Sequence, residues 1–281
     1  MKESFLEKRG IYYRISELDT DAPAIVFVHG LTGSSSAWRE YEERFEKSHR
    51  IISYDLRGHG ASLKPPRYAD YGAHHHVEDL SALLKHLDVR DFVLVSHSYG
   101  TLIALEFLLT KPSGALGAVF FSPTFDLRSI LLQKLTDLVL RISAHICSVF
   151  PVHSKQGRHV DYAKYRRTGD WNVRRMLADI RNTTARVTIF CLDLLCHSES
   201  VEKWKQLTVP VRIIHGGRDS VIPVAHAKKL AATLVGSQLT LLPNANHVLV
   251  LNDIEEVSVI LDKALSALMT RRLEGELVSI S

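Results

Sequence analysis

The sequence predicts an α/β fold in which helices cover both faces of a mostly parallel sheet. Two observations indicate the sheet. Short, continuously apolar runs, such as residues 24–29 and 92–95, are typical of strands buried on both faces. Helical patterns alternate with these runs, which favours parallel strands joined by crossover helices. A third observation is the long stretch 123–206, where helical patterns follow one another without a strand, and this predicts an inserted helical cap.

Length and composition exclude several classes of protein. With 281 residues, the chain is long enough for one large domain or for a domain with an insertion. Hydrophobic residues make up 46% and charged residues 23%, which are ordinary values for a globular protein. The net charge of +4 is too small to indicate nucleic-acid binding. No apolar stretch approaches the roughly 20 residues of a membrane span, so we expect none.

The cysteines and the N-terminal residues bear on the compartment. The chain has three cysteines, Cys147, Cys191 and Cys196, an odd number without the spacing of a metal site. A disulfide framework is therefore not expected, and a reducing, cytoplasmic setting fits best. The first ten residues are charged throughout and contain no apolar run, so we expect no secretory signal.

The elements before the insertion follow in regular order. Strands are predicted at residues 11–16 (paired with the segment near Phe5), 24–29, 50–54, 92–95 and 117–121. Between them, helices are predicted after the cap at residues 34–36, over 77–87 and over 102–109, because apolar residues recur there at helical spacing. The predicted core comprises residues 1–122 and 207–281, with the insertion between them.

The insertion is basic and partly apolar. Residues 130–150 form an amphipathic pattern, and arginines outnumber acids in the segment that follows. The simpler interpretation is a solvated helix face; the alternative is that one arginine binds an anionic group of a substrate. Leucines, isoleucines, Trp171 and Trp204 suggest an apolar acyl pocket. Beyond the insertion, strands are predicted at 211–215 and 238–242, helices at 223–235 and 254–270, and a surface extension at 271–281.

The turn at residues 96–100 carries the clearest chemical signal. It joins an apolar strand to an apolar helix within a few residues, with small side chains at Ser96 and Gly100 on either side of Ser98. So tight a turn strains its central residue and excludes bulky neighbours, so that the hydroxyl of Ser98 is presented as a nucleophile. The alternative is a strand followed by a serine-rich helix cap.

A serine nucleophile also needs a base, an acid that orients the base, and donors for the oxyanion. In an α/β sheet, functional groups gather beyond the carboxyl ends of the strands. Asp219 is the one acid in the turn after strand 211–215, and His247 is the one base after strand 238–242. The backbone amides of Leu31 and Tyr99 are the expected oxyanion donors, since Tyr99 follows Ser98 at a helix N-terminus and Leu31 follows a glycine.

Five segments resemble the capped branch of the α/β-hydrolase fold family: HGLTGSSSAW, YDLRGHGAS, SHSYG, GGRDSVIP and NANHVLVL. The resemblance departs from the family's GxSxG turn only in Ser96, which replaces the first glycine. It implies an α/β-hydrolase fold with Ser98 as nucleophile, Asp219 as acid and His247 as base. It also implies the amides of Leu31 and Tyr99 as oxyanion hole, and chemistry without a metal or cofactor.

The expected function is hydrolysis of small-molecule carboxylic esters, with small to medium acyl groups, through an acyl-enzyme. Dehalogenases and epoxide hydrolases of this fold place an aspartate at the position of Ser98, which argues against both. Hydrolysis of a carbon–carbon bond in a vinylogous keto acid, a lactonase or peptidase, and a small-molecule receptor remain alternatives. The sequence leaves the oligomeric state open between monomer and homodimer.

Other polar residues near the predicted site have simpler interpretations. His97 is expected to point away from the nucleophile, and His29 and His59 to brace loops through hydrogen bonds. The run of three histidines at residues 74–76 opens a helix, where successive side chains diverge, so no metal site is expected. Asp126 is the rival of Asp219 for the acid.

Overall fold

The computed structural model describes residues 1–18, 22–125, 133–149, 157–196 and 201–280. Within them lies one eight-stranded sheet in the order β1-β2-β4-β3-β5-β6-β7-β8. The pairs β1·β2 and β2·β4 are antiparallel and all other neighbours are parallel. The strands are β1 (Lys2–Leu6), β2 (Ile11–Ile15), β3 (Ala24–Val28), β4 (Arg50–Tyr54), β5 (Phe92–His97), β6 (Ala115–Phe121), β7 (Val211–Gly216) and β8 (Gln238–Leu242).

Helices connect the strands and cover the sheet. The described helices are α1 (Arg39–Phe45), α2 (Ala73–His86), α3 (Tyr99–Leu109), α4 (Gln133–Val149), α5 (Val173–Thr183), α6 (Ala185–Cys196), α7 (Val224–Thr233), α8 (Leu249–Asn252) and α9 (Ile254–Ile280). Short 3-10 turns lie at Glu7–Arg9, Ser35–Trp38, Tyr68–Tyr71, Tyr162–Tyr165 and Val201–Gln206. None of these helices combines the length and the apolar character that crossing a bilayer requires.

The apolar strands divide their side chains between two cores. Val26 and Leu94 point into the core that contains α2 and α3, whereas Ile25 and Val93 point into the core that contains α1 and α9. Successive side chains of a strand lie on opposite faces, so a strand covered on both faces must be apolar at every position. The predicted fold class is confirmed, and the continuous apolar runs are its physical cause.

Several predicted boundaries differ from the observed ones. Strand β6 begins at Ala115 instead of residue 117, and α2 begins at Ala73 instead of residue 77. The helix predicted at residues 254–270 is longer than expected, because α9 continues to Ile280 and includes most of the segment predicted as a surface extension. This part of the chain is rich in Arg, Leu and Glu, which are good helix formers.

The described parts of the segment between β6 and β7 contain the helices α4, α5 and α6 and no strand, as the lack of strand patterns predicted. The helix predicted at 130–150 is observed as α4, and residues 130–132 and 150 lie outside the described residues. Its apolar stripe is not fully buried by the described residues, since Leu138, Ile142 and Ile146 are each half exposed or more. The helix packs instead through the side that carries Ala144, which is buried in the larger core.

Candidate active site

The turn between β5 and α3 has the strained geometry that its sequence predicts. Ser98 adopts φ +50° and ψ −121°, a backbone conformation that residues other than glycine rarely adopt. A Cβ atom on Gly100 would lie 2.5 Å from the carbonyl oxygen of His29, so this position has no room for a side chain. Ser96 is fully buried and its Oγ lies 3.2 Å from Oγ1 of Thr101, which explains why a serine is accommodated there.

The structure brings Ser98, Asp219 and His247 together from three separate loops. His247 Nε2 lies 2.9 Å from Ser98 Oγ, and His247 Nδ1 lies 2.8 Å from Asp219 Oδ2. The other oxygen of Asp219 accepts hydrogen bonds from the backbone N–H groups of Val221 at 2.9 Å and Ile222 at 2.7 Å. A carboxylate can only accept, so Nδ1 carries the proton and Nε2 is free to accept one from the serine hydroxyl.

Electrostatics at the site favour an ionised Asp219 and a neutral His97. Burial alone would raise the pKa of the Asp219 carboxyl, but the hydrogen bond and charge of His247 and the N–H of Ile222 lower it. Burial, reinforced by the neighbouring His247, lowers the pKa of His97 to about 3. The His97 ring is therefore uncharged at neutral pH.

The two expected oxyanion donors flank the serine. Tyr99 is the first residue of α3, where backbone N–H groups have no partner within the helix. Leu31 lies in the loop after β3 and lines the same cavity as Ser98. This loop passes close to the serine, because a Cβ atom on Gly30 would lie 3.3 Å from the Cβ of Ser98. Within the described residues, neither the Leu31 nor the Tyr99 amide donates to a protein acceptor, so both are free to bind an oxyanion.

Ser98 and His247 open into a cavity of about 80 Å³. The insertion contributes part of its wall through Tyr162, Arg175 and Asp179. The remaining lining residues, all outside the insertion, are Gly30, Leu31, Gly33, Ala37, His97, Val248, Val250 and Leu251. The site is therefore enclosed by both parts of the chain.

The two tryptophans that suggested an acyl pocket lie elsewhere. Trp204 is fully buried and its ring contacts Phe125 edge-on at 5.3 Å. Trp171 is 62% exposed and donates from Nε1 to Ser220 Oγ at 3.0 Å. Neither residue lines the cavity of Ser98. Their assignment to the acyl pocket is wrong, because one packs into the core and the other lies on the surface.

The insertion places an unexpected polar group in the cavity wall. Tyr162 donates its hydroxyl to Asp179 Oδ1 at 2.8 Å, and Nη1 of Arg175 lies 3.5 Å from Asp179 Oδ2. Burial raises the pKa of Asp179 to about 6, although the hydrogen bond from Tyr162 and the charge of Arg175 oppose this shift. The guanidinium of Arg175 is thus already balanced by a neighbouring carboxylate.

Sequence reasoning missed two contacts close to Ser98. Oγ1 of Thr124 lies 3.0 Å from Ser98 Oγ, and the position of Thr124 just after β6 could have indicated it. His97 was expected to point away from the site, but it lines the cavity. Its Nε2 donates to the carbonyl oxygen of His247 at 2.9 Å. Its ring therefore supports the loop that carries His247.

The remaining histidines have the predicted structural roles where the structure describes their contacts. His29 donates from Nδ1 to the Gly30 carbonyl oxygen at 2.8 Å and accepts at Nε2 from the Leu56 N–H at 2.9 Å. His59 Nδ1 donates to the Arg57 carbonyl oxygen at 3.0 Å. Across the described parts of the chain, no group of three His, Cys, Asp or Glu side chains is arranged to hold a metal ion. The rival acid, Asp126, lies outside the described residues.

Comparison with known proteins decides the family. The family model described as alpha/beta hydrolase fold matches residues 23–253. The chain belongs to the α/β-hydrolase fold family. A curated relative, the uncharacterized protein Rv2715 of Mycobacterium tuberculosis (strain ATCC 25618 / H37Rv), is 28% identical over 255 residues, covering 84% of this chain and 73% of that protein. Human ABHD8 is 26% identical over 255 residues, covering 86% of this chain and 54% of that protein.

Solved α/β-hydrolase structures share the whole architecture. A thermophilic esterase from Thermogutta terrifontis matches with a TM-score of 0.70 and 20% identity, covering 92% of this chain and 94% of that one. An enol-lactonase from Burkholderia xenovorans LB400 matches with a TM-score of 0.70 and 18% identity, covering 91% and 95%. At such low identity, these likenesses show the α/β-hydrolase fold alone.

Proposed function

We propose that this chain is a serine hydrolase of carboxylic esters, with Ser98 as nucleophile, His247 as base and Asp219 as acid. One observation carries the proposal: the His247 ring bridges Ser98 Oγ at 2.9 Å and Asp219 Oδ2 at 2.8 Å. In this mechanism, His247 takes the proton of Ser98 as the hydroxyl attacks the ester carbonyl. Asp219 holds the ring in the required tautomer and stabilises the imidazolium that forms.

The developing oxyanion needs donors in place before the reaction begins. The amides of Leu31 and Tyr99 are proposed for this role because both lie beside Ser98 and have no partner among the described residues. Collapse of the tetrahedral intermediate returns the imidazolium proton to the leaving alcohol and forms an acyl-enzyme. Water, activated by the same imidazole, then releases the acid and regenerates Ser98. No step requires a metal or an organic cofactor.

Residues 123–206 are proposed to act as the cap of this site. Tyr162, Arg175 and Asp179 support this role, because they line the cavity together with residues of the core. The cavity is small, at about 80 Å³, which favours the shorter of the small to medium acyl groups. Ala37, Val250 and Leu251 supply apolar wall for such a group.

The cavity favours a neutral ester over an anionic substrate. A carbon–carbon hydrolase of a vinylogous keto acid would need an arginine available to bind the carboxylate. Arg175, which lines the cavity, lies 3.5 Å from Asp179 and donates to the Asp170 carbonyl oxygen at 2.5 Å. Because its charge is already offset, we place ester hydrolysis first. Hydrolysis of a lactone, which is a cyclic ester, would use the same groups, and an enol-lactonase is among the similar structures.

Covalent labelling tests the proposal directly. A fluorophosphonate probe should modify Ser98, located by peptide mass spectrometry, and p-nitrophenyl esters of two to eight carbons should be hydrolysed. Ser98→Ala should abolish both signals, whereas Ser81→Ala, at an exposed serine on α2, should leave both unchanged. Tight binding of small molecules without turnover or labelling would favour a receptor. Selective cleavage of an anionic dienoate would favour the carbon–carbon hydrolase.

A further inference from the structure

Asp170 is a buried carboxylate of the insertion that contacts both loops carrying the proposed acid and base. Its side chain is only 7% exposed. Oδ2 accepts hydrogen bonds from the backbone N–H of Ser220 at 2.9 Å and from its hydroxyl at 2.7 Å. Oδ1 accepts from the backbone N–H of His247 at 2.8 Å, with a longer contact of 3.4 Å from that of Val248. Asp170 thus bonds to His247 itself and to the residue that follows Asp219.

The chemistry of these contacts requires a carboxylate. All the partners of Asp170 are N–H or O–H donors, so both of its oxygens must accept. An asparagine would turn an NH₂ group towards one of the two backbone N–H groups and leave a buried donor unsatisfied. Hydrogen bonds to a charged acceptor are also stronger than those between neutral groups.

The insertion holds Asp170 firmly in position. Arg175 donates from Nη2 to the Asp170 carbonyl oxygen at 2.5 Å. Two residues earlier, the carbonyl oxygen of Thr168 accepts from Nδ2 of Asn246 at 3.1 Å and from Nδ2 of Asn252 at 2.7 Å. The turn before α5 is therefore fixed to the His247 loop by several independent contacts.

We propose that Asp170 is a positioning residue for catalysis, which sets the orientation of His247 relative to Asp219 and Ser98. This inference rests on the proposed serine hydrolase. By binding the backbone of residues 220 and 247 with one carboxylate, Asp170 fixes the distance between the acid and the base. A residue of the insertion, Asp170, thus helps to position the proposed acid and base, Asp219 and His247.

A purely structural role, in which Asp170 only anchors the insertion, makes a different prediction. The two loops share a direct hydrogen bond from the Arg218 N–H to the Ala245 carbonyl oxygen at 2.9 Å. They stay adjacent without Asp170, so loss of its charge should disturb the alignment of the side chains before it unfolds the site. The measurements that distinguish the two roles are therefore the NMR signal of the His247 ring and kcat, and not the stability of the protein.

The test compares Asp170→Asn with Asp161→Asn, a matched change at an exposed aspartate of the insertion that pairs with Lys164 at 3.2 Å. We expect Asp170→Asn to lower kcat by about 10- to 100-fold, since a misplacement of about 1 Å has this effect, with little change in KM. The low-field proton NMR resonance of the His247 Nδ1–H should shift or disappear. Asp161→Asn should leave both unchanged.

The outcomes separate this inference from the proposed function. A folded Asp170→Asn variant with wild-type kcat and an unshifted Nδ1–H resonance would overturn the positioning role alone. A wild-type protein without activity or labelling dependent on Ser98 would overturn the proposed function and this inference with it. If Asp170→Asn does not fold, Ser220→Ala carries the test, because it removes one of the hydrogen bonds to Asp170 and should lower kcat about two- to tenfold. Unchanged kcat in Ser220→Ala would then count against the proposal.

Discussion

The sheet and the insertion contribute to the same cavity, but they are specified by different physical signals. In the sheet, β3 and the first four residues of β5 are buried on both faces, and each forms an unbroken apolar run in the sequence. In the insertion, the residues that reach the cavity are polar ones, Tyr162, Arg175 and Asp179, which contact one another through a hydrogen bond and an ion pair. The comparison indicates that the sheet supplies the proposed reacting groups, Ser98, Asp219 and His247, and that the insertion supplies part of their surroundings.

The largest expected effect lies on the sheet side, at Asp219. In Asp219→Asn the remaining oxygen can still accept from the N–H groups of Val221 and Ile222, so the amide NH₂ turns towards His247 Nδ1. The ring is then driven into the tautomer that cannot accept the proton of Ser98, and kcat should fall by about 10⁴-fold. Steady-state kinetics on a p-nitrophenyl ester measures this loss.

A matched control for this variant is Asp262→Asn, at an exposed aspartate of α9, which should keep full activity. Near-normal turnover by Asp219→Asn would instead move the acid role elsewhere, with Asp126 as the first position to replace. The sheet would then supply the nucleophile and the base while the acid came from the connection into the insertion.

A smaller effect is expected on the insertion side, in the pH dependence of stability. The pKa of Asp179 is raised to about 6 in the folded protein, above its ordinary value of 3.8. As the pH falls, the Asp179 carboxylate therefore takes up a proton in the folded protein before it does so in the unfolded protein. Above about pH 6 the carboxylate is ionised in both states, and its ionisation lowers the free energy of unfolding. This cost disappears as the pH falls towards 4. The Asp179→Asn variant has no carboxylate at this position, so its free energy of unfolding should lack this pH dependence.

Urea unfolding of wild type and Asp179→Asn between pH 7 and pH 4 checks this prediction. The free energy of unfolding of wild type, relative to the variant, should rise as the pH falls, by up to about 3 kcal/mol. Titrating groups common to both proteins, including Asp219, cancel in the difference. A difference that stays constant over this range would contradict the assignment of a raised pKa to Asp179.

The smallest effect is expected at Ser96, where the chain departs from the GxSxG pattern. Ser96→Gly removes the 3.2 Å contact with Thr101 and adds backbone freedom within β5, so the free energy of unfolding should fall by about 1 kcal/mol. The geometry of Ser98 does not depend on this hydroxyl, so kcat/KM should stay within about twofold of wild type. Ser96→Ala, which keeps the Cβ atom, separates the two contributions. A large loss of activity in both variants would show that the Ser96 hydroxyl supports the reaction.

Sequence-based prediction succeeded better for the sheet than for the contacts of the insertion. Strand β4 was predicted with its observed boundaries, because burial on both faces leaves a local signal in the sequence. The meeting of residues 98, 219 and 247 followed from their places at the ends of parallel strands, and the family's motifs made the same assignment. Their catalytic roles stay predictions until kinetics tests them.

Sequence reasoning failed where contacts join distant parts of the chain. Asp170 bonds to Ser220 and His247, 50 and 77 residues away, and no periodicity or motif marks such a contact. Trp204 was assigned to a pocket by its residue type, but burial against Phe125 decided its place. Apolar side chains of an insertion can face the core, solvent or a ligand, and composition does not distinguish among these environments.

The backbone of Ser98 has a consequence for adaptation to heat. Its φ of +50° is common for glycine and rare for other residues, so this conformation costs about 1–3 kcal/mol of folding free energy at this residue. The substitution that would best relax the turn is glycine, which has no hydroxyl. With Ser98 as the proposed nucleophile, selection for thermal resistance and selection for reactivity oppose each other at this position, and a heat-adapted descendant must gain its stability elsewhere in the chain.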